Sequence, residues 1–438
     1  MKTFPFRPLT NLVMTPANLT CDGVDLADLA SRHRTPLYVY SSAHIEKQIK
    51  ELRRAFKGLP VTICYALKAN TNFTLLNFLA KHDVAADLVS GGELWRAKNA
   101  QMNLKQSVFS GVGKTADEIA LALKSQIKFF NVESKSELEL INRVASKLKV
   151  TAQISLRFNP DVDAKTHPYI STGLHENKFG LDKAEILTIA STFGALKSCS
   201  LRALSVHIGS QIQTVGPFRD SFIKLRELRN LLLAQGFKID SLDLGGGFSI
   251  PYRQNEKSFD LDKYAKTVKA LFSDVKELTI EPGRFLVGNS GILLSRVLHV
   301  KKTRKKKFLI VDAGMNDLVR PALYQSYHEI ITIPCASGPN HLKGSTGFDV
   351  VGPVCESSDS FTKNRKFSKA TTAGDLIAIL SAGAYGMSMA NQYNSRFKPA
   401  EIWLESNARG KAKARLIRHR DSYRDLVTNE VLKKESRK

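Results

Sequence analysis

The sequence predicts an α/β protein: a (β/α)8 barrel of the TIM type followed by a C-terminal, mostly-β domain. Three observations lead there. Short β-rich runs alternate with helical patterns from residue 61 to about residue 285, the rhythm of parallel strands joined by crossover helices. After about residue 290 strand-like runs follow one another with few helical patterns between them. The chemically unusual residues of the first region collect at the ends of its runs, where such a barrel carries its active site. The expected organisation is an N-terminal segment (1–35) packing with the β domain, a barrel over 36–290 and the β domain over 291–438. A doubly wound open sheet is the structural rival.

The strand-like runs of the first region are "VTICYALK" (61–68), "VAADLVS" (84–90), "QSVFSG" (106–111), "IKFFNVE" (127–133), "VTAQISLRF" (150–158), "LRALSVHIG" (201–209), "IDSLDLGGG" (239–247) and "ELTIEPG" (277–283). Between them lie "GELWRAKNA", "TADEIALALKS", "SKSELELINRVASKL" and "FRDSFIKLRELRNLLLAQG". Several open on Ser, Thr or Asp and carry apolar residues at three- and four-residue spacing, as capped amphipathic helices do. The later region offers "ILLSRVLHV", "KFLIVDAG", "EIITIP", "GFDVVGPVC", "DLIAILSAGAY", "AEIWLES" and "KARLIRH". The first 35 residues, ending before "TPLYVYS", lack the barrel rhythm and are assigned to the β domain.

With 438 residues, 43% hydrophobic and 24% charged, the composition is that of a soluble globular protein. No apolar stretch nears the roughly 20 residues that span a bilayer, and the proline-broken N-terminus carries no signal-peptide core. Five scattered cysteines (Cys21, Cys64, Cys199, Cys335, Cys355) with no CxxC pair point to reduced thiols in a cytoplasm, and to no metal site. The 65 basic and 41 acidic residues leave a net charge of +24. Such a charge can serve nucleic acid, anionic membranes or anionic small molecules. The densest run, "KKTRKKK" (301–307), sits between two strand-like runs and reads as a solvated hairpin turn. No zinc finger, RNP-type motif or basic heptad helix accompanies the charge, so a nucleic-acid partner is not expected.

The run ends carry Lys68, Asp87 before "SGGEL", Arg157, His207 and Ser210 within "HIGSQ", Gly245-Gly246-Gly247, and Glu281 and Arg284 within "EPGR". Singly, each has an ordinary reading: a solvated lysine, a core histidine, a tight turn, a surface ion pair. Converging on one rim they are hard to explain as packing. The glycine triplet departs from the dinucleotide G-x-G-x-x-G spacing but lets backbone N–H groups approach an anion. An imine-forming lysine, a flat histidine, an anion cradle and a carboxylate form a coherent set for pyridoxal phosphate.

The ordered motifs "YALKANTN", "SGGEL", "NVES", "RFNPDVDAKTHPYISTGLHENKFG", "HIGSQI", "LDLGGGF", "EPGR", "DAGMNDLVRPALY", "GPVCESSD" and "GAYGMSMANQYNSR" run over nearly the whole chain. In them the sequence resembles the diaminopimelate decarboxylases, of the alanine-racemase-like, fold type III class of pyridoxal-phosphate enzymes. The resemblance implies decarboxylation of meso-2,6-diaminopimelate to L-lysine, the last step of lysine biosynthesis, by a homodimer with active sites at the subunit interface. It implies that Lys68 holds the cofactor as a Schiff base, with Asp87 and Arg157 supporting it from below. His207 stacks on the ring, Ser210, Gly247 and Tyr385 reach the phosphate, and Gly246, Gly283 and Arg284 complete the cofactor set. Glu281 pairs with the pyridine nitrogen. Arg284, Arg320, Tyr324 and Tyr385 bind substrate. Cys355 and Glu356 arrive from the other subunit, Cys355 as proton donor and Glu356 at the distal amino-acid end. Met387 and Met389 stand where this family varies.

A decarboxylase acting on ornithine, arginine or carboxynorspermidine is the nearest alternative. Arg320 and Glu356 favour a substrate with a second amino-acid end, where a diamine-producing enzyme would place an aspartate after the cysteine. Racemisation fits less well, needing a second base and a less electron-demanding ring environment than Glu281 provides. A non-catalytic homologue is opposed by the intact Lys68, His207, Glu281 and Cys355, and a basic binding protein by the missing nucleic-acid motifs. Dispersed basic residues can steer the anionic substrate and cofactor towards the site.

Overall fold

The computed structural model describes residues 4–5, 12–15, 18–163, 178–253, 255–333, 344–406 and 412–431. Cys335, residues 164–177 of the long motif ending at Gly180, and the tail after Val431 lie outside the described residues. The chain divides into two units, His44–Asn289 and a composite of Met1–Ala43 with Ser290–Lys438.

The strands of the first unit are Val61–Ala66, Ala85–Leu88, Val108–Phe109, Phe129–Val132, Ala152–Phe158, Cys199–Val206, Ser241–Asp243 and Glu277–Ile280. They lie where the sequence expects them and pair in parallel to a closed barrel. The last meets the first through Leu278 opposite Val61 and Ile280 opposite Ile63. Crossover helices start where a side chain takes up the free N–H groups of the first turn. Asn72, Ser90, Thr115, Ser134, Asp182 and Asp260 cap Phe73–Lys81, Gly91–Asn99, Ala116–Lys124, Lys135–Leu148, Lys183–Thr192 and Leu261–Phe272 in this way. The long helix Gly216–Ala234 opens instead on a proline in its first turn, where a missing N–H costs nothing.

Strand periodicity then decides what fills the barrel. Cys64, Ala85, Val108, Phe129 and Ala203 form a buried apolar cluster. Two residues on, side chains return to the same face of a strand, and those positions hold Ala66, Asp87, Ser110, Asn131 and Ser205, all buried. An apolar plug is thus overlaid by a polar layer.

The composite unit is built on a mixed sheet running Ser360–Ser368, Ser345–Val351, Lys307–Val311, Gly291–Lys302, Leu37–Ser41, Ala400–Ser406 and Ala412–Arg418. Leu376–Ile379 also pairs with Gly291–Lys302, and Ile330–Thr332 pairs with Leu376–Ile379. The stretch "TPLYVYS", assigned from sequence to the barrel's start at residue 36, belongs here. Leu37–Ser41 pairs antiparallel with Gly291–Leu294 and parallel with Ala400–Leu404. Its five residues are all buried, and a strand buried on both faces reads as a continuous apolar run in either setting. The boundary accordingly falls at residue 43, not 35. The sequence also passed over Ser360–Ser368, whose "TKNRK" centre looks like a loop; it is the edge strand, where exposed charge discourages further pairing. Lys302 pairs with Lys307, and the Thr303 N–H donates to the Lys306 carbonyl at 2.8 Å, so "KKTRKKK" is a hairpin turn. The N-terminal strands Leu12–Met14 and Leu19–Cys21 supply Leu12, Leu19 and Cys21 to a core shared with Val39, Ile292 and Ile402. Among the described residues no helix is long and apolar enough to cross a membrane.

Candidate active site

The first barrel strand ends at Ala66 and passes into a single 3-10 turn, Leu67–Ala69. Leu67 and Ala69 are buried on either side, which anchors the backbone and leaves the Lys68 side chain 43% exposed. Its Nζ stands 3.9 Å from Asp87 Oδ2, on the end of the second strand. Burial pushes the Asp87 carboxyl upward, against the pull of Lys68 and a hydrogen bond from Ser110. Its Oδ1 has no hydrogen-bond partner among the described residues.

The next strands add a connected polar set. Asn131 Nδ2 donates to Ser110 Oγ at 3.1 Å, to Asp243 Oδ2 at 3.1 Å and to Glu281 Oε1 at 3.4 Å. Glu281, 8% exposed, is pushed far above the ordinary glutamate range by burial, then by Asp243 and Asp87. Arg157 donates from Nη1 to Glu133 Oε1 at 2.9 Å. The same carboxylate takes the N–H groups of Gly111 at 3.0 Å and Gly180 at 3.1 Å. Glu133 therefore fixes both the arginine and two loop backbones.

His207 follows the sixth strand. The Gly246 N–H donates to its Nδ1 at 3.1 Å, which leaves the hydrogen of a neutral ring on Nε2. Burial, Lys68 and Arg157 hold its pKa well below 6.5, so the ring is uncharged. The glycine triplet is required by packing. A Cβ at Gly246 would lie 2.1 Å from the Glu281 carbonyl oxygen. Gly247 has φ +101°, and a Cβ there would lie 2.4 Å from the Gly209 carbonyl oxygen. Beyond Gly283, Arg284 donates to Ser210 Oγ at 3.2 Å and to the Tyr252 hydroxyl at 2.6 Å. All the barrel residues singled out from sequence thus lie at strand C-terminal ends or in the loops just after them.

The other expected residues belong to the composite unit. Arg320, 5% exposed, donates from Nη1 to His328 Nε2 at 2.8 Å, and from Nη2 to Ser326 Oγ at 3.2 Å. His328 Nδ1 donates to the Leu380 carbonyl at 2.8 Å, which fixes the tautomer that accepts from Arg320. Tyr324 ends the short helix Arg320–Tyr324 and is half-buried. Tyr385 adopts φ +56°, a left-handed backbone uncommon for a large side chain. Cys355 is exposed. Its N–H donates to Asn394 Oδ1 at 2.8 Å, and the Tyr393 hydroxyl donates to Glu356 Oε1 at 2.5 Å. Burial pushes the Cys21, Cys64 and Cys199 thiols upward, Cys199 to about 12.

Sequence reasoning missed Ser110, Asn131, Glu133, Asp243, Tyr252, His328 and Asn394. For Ser110 and Asn131 a signal existed: each follows an apolar barrel residue by two positions. The others act through partners remote in sequence. It also missed Glu93, whose Oε2 accepts the Val89 N–H at 2.8 Å. Burial raises the Glu93 carboxyl from 4.5 to about 7.

The donor set suits pyridoxal phosphate. Within the glycine turn the Gly245 and Gly246 N–H groups go to Asp243 and His207, and the Gly247 N–H is the one placed for an anion. A neutral histidine, a half-exposed lysine and a buried carboxylate with one unpartnered oxygen surround the same mouth.

Residues 42–288 match the pyridoxal-binding domain of the pyridoxal-dependent decarboxylases. The diaminopimelate decarboxylase of Pseudomonas aeruginosa is 41% identical, over 99% of this chain and 99% of its own. The crystal structure of the Helicobacter pylori diaminopimelate decarboxylase complexed with L-lysine superposes with a TM-score of 0.86 at 42% identity, covering 92% of this chain and 98% of that one. The M. jannaschii enzyme, also in complex with L-lysine, gives 0.89 at 36% identity, covering 97% and 98%.

Proposed function

The chain belongs to the diaminopimelate decarboxylases within the pyridoxal-dependent decarboxylase family, and from that premise we propose how its own residues carry the reaction. The enzyme removes one carboxylate from diaminopimelate to give lysine and carbon dioxide. Bound pyridoxal phosphate supplies an aldehyde for amines and an electron sink for the charge left when the carboxylate departs.

Lys68 tethers the cofactor through its Nζ and is turned by Asp87, whose buried carboxylate faces it at 3.9 Å. His207 would stack on the ring and, being uncharged, would add no competing cation there. Ser210, the backbone of Gly247 and Tyr385 would hold the phosphate, and Gly246, Gly283 and Arg284 would complete the cofactor set. Glu281 would hold a proton at the ring nitrogen, and Arg157 would support Lys68 and the ring from below. Arg284, Arg320, Tyr324 and Tyr385 bind substrate, and Glu356 meets its distal amino group. When carbon dioxide leaves, the Cys355 thiol gives its proton from Sγ to the same carbon. The enzyme works in the cytoplasm as a homodimer, with Cys355 and Glu356 supplied across the subunit interface. Their exposure in the single chain supports that reading. The net charge of +24 draws the dicarboxylate and the phosphate towards the site.

The observation that carries the proposal is the meeting of Lys68, Asp87, His207, the glycine triplet and Glu281 at one barrel mouth in a chain of this family. The test is an absorbance spectrum of the protein with pyridoxal phosphate, then addition of meso-diaminopimelate and assay of lysine and carbon dioxide. A visible band that Lys68→Ala abolishes, with lysine released, supports it. A band without lysine moves the substrate elsewhere, and no band removes the assignment of Lys68.

A further inference from the structure

We infer that Asp243 is a positioning residue for Glu281: it fixes that carboxyl by two routes and, by its charge, keeps a proton bound between Glu281 and the cofactor's ring nitrogen. The inference rests on the assignment of Glu281 to that nitrogen and extends it to a residue the ring does not meet.

The first route is the backbone. Asp243 ends the seventh strand, and its Oδ1 accepts the Gly245 N–H at 3.0 Å. The Gly245 carbonyl in turn accepts the Glu281 N–H at 2.8 Å. A side chain on the seventh strand thereby sets the height at which the eighth-strand loop leaves the barrel. The second route is the side chain. Asp243 Oδ2 and Glu281 Oε1 share the forked amide of Asn131, at 3.1 and 3.4 Å. Ser110 Oγ lies 3.5 Å from the same glutamate oxygen. Asp243, Asn131 and Glu281 are 3%, 2% and 8% exposed, so water does little to screen them.

A like charge within about 4–6 Å raises a carboxyl's proton affinity, and most so in a dry site. The groups facing Glu281 are Asp243 from the seventh strand and Asp87 from the second, both adding to the rise from burial, while Lys68 opposes them. Below the layer, the Cys64 thiol is itself pushed up by burial and then by Asp243, Glu281 and Asp87. On the helix behind, burial and Asp243 raise the Tyr264 hydroxyl. Lys68 is the cation acting on Glu281, and Lys68 is consumed in tethering the cofactor. The negative field of Asp243 then acts on a proton that Glu281 and the ring nitrogen share. Removing that field lowers the pH at which the proton is lost.

The test is 15N NMR of holoenzyme carrying pyridoxal phosphate labelled at the ring nitrogen, whose chemical shift reports protonation directly, followed as a function of pH. Asp243→Asn keeps the shape and an oxygen for the Gly245 N–H but removes the charge. The nitrogen of the wild type should lose its proton only at the alkaline end of the range in which the protein is folded. In Asp243→Asn its titration midpoint should fall by roughly one to three pH units, the size of a like-charge effect at this range. In the same variant kcat should drop while KM stays near wild type. Asp243→Ser, which also keeps an oxygen and removes the charge, should shift the midpoint in the same direction, and it decides the matter if Asp243→Asn does not fold. A midpoint unmoved in the folded variants overturns the inference. Glu281→Gln separates the two layers of argument. If it moves the midpoint and the Asp243 variant does not, only the role of Asp243 falls. If neither moves it, the assignment of Glu281 falls with it.

Discussion

In the barrel mouth Asp87, Asn131, Asp243 and Glu281 are at most 8% exposed, and Asn131 joins Asp243 to Glu281 by hydrogen bonds, whereas in the composite unit Cys355 and Glu356 stand exposed and are held through Asn394 and Tyr393. The two sets serve one proposed reaction under opposite conditions. Groups proposed to hold a fixed charge against the cofactor sit where low dielectric magnifies their fields. Groups proposed to meet the substrate, and a second subunit, sit where they can be reached. Preorganisation belongs to the first set and access to the second.

The largest expected effect breaks the first set at its attachment point. Lys68→Ala should remove the cofactor's visible band and lower lysine formation on the order of a thousand-fold or more, the scale on which losing a covalent or acid–base group acts. Cys355→Ala should leave that band in place and lower turnover by roughly a hundred- to a thousand-fold. Absorbance and carbon dioxide release, measured on both variants, sharpen the contrast. If the cysteine variant also loses the band, the two sets are not functionally separate and the division between holding and reacting fails.

The same contrast explains what was legible in the sequence. Lys68, His207, the glycine triplet and Glu281 stand beside local punctuation, a strand end or a turn, so a reader of the chain meets them in context. Asp243 sits within "LDLGGG" yet reads as part of a strand, because its partners Asn131 and Glu281 come from other strands. Only closure of the barrel brings them together. His328 was invisible for a like reason: its meaning lies in the Arg320 guanidinium it receives and the Leu380 carbonyl it donates to. The run "TPLYVYS" shows the limit of local pattern at the level of fold. Burial on both faces erased the alternation that separates a barrel strand from one in a mixed sheet.

A smaller effect, on stability, probes how tightly the mouth is built. Gly246→Ala places a methyl group 2.1 Å from the Glu281 carbonyl oxygen, a backbone atom that cannot swing away. Overpacking of this kind costs about 3 kcal/mol, read as a lower denaturant midpoint. The variant should bind pyridoxal phosphate more weakly as well, because the loop that yields is the one proposed to hold the phosphate. A variant that loses stability but binds the cofactor normally would separate the glycine's packing role from its binding role.

The smallest expected effect uses pH to compare the two units in the apo protein. Burial raises Glu93 from 4.5 to about 7 in the barrel and Asp317 from 3.8 to about 7 in the composite unit. A carboxyl whose folded pKa is raised binds its proton more tightly folded than unfolded. Its contribution is full below the unfolded pKa and is lost as pH rises to the folded one, so stability should fall from about pH 4 to about pH 7. Glu93→Gln cannot ionise. It should remove the Glu93 part of that slope, on the order of 2 kcal/mol once the full shift is discounted for partial exposure, and leave the Asp317 part. Denaturant titrations at several pH values read both. If the units unfold in separate steps, only the barrel's step should flatten in Glu93→Gln, while the other keeps its slope. If both steps flatten together, the two units share their stability, and the contrast between them is one of chemistry and not of folding.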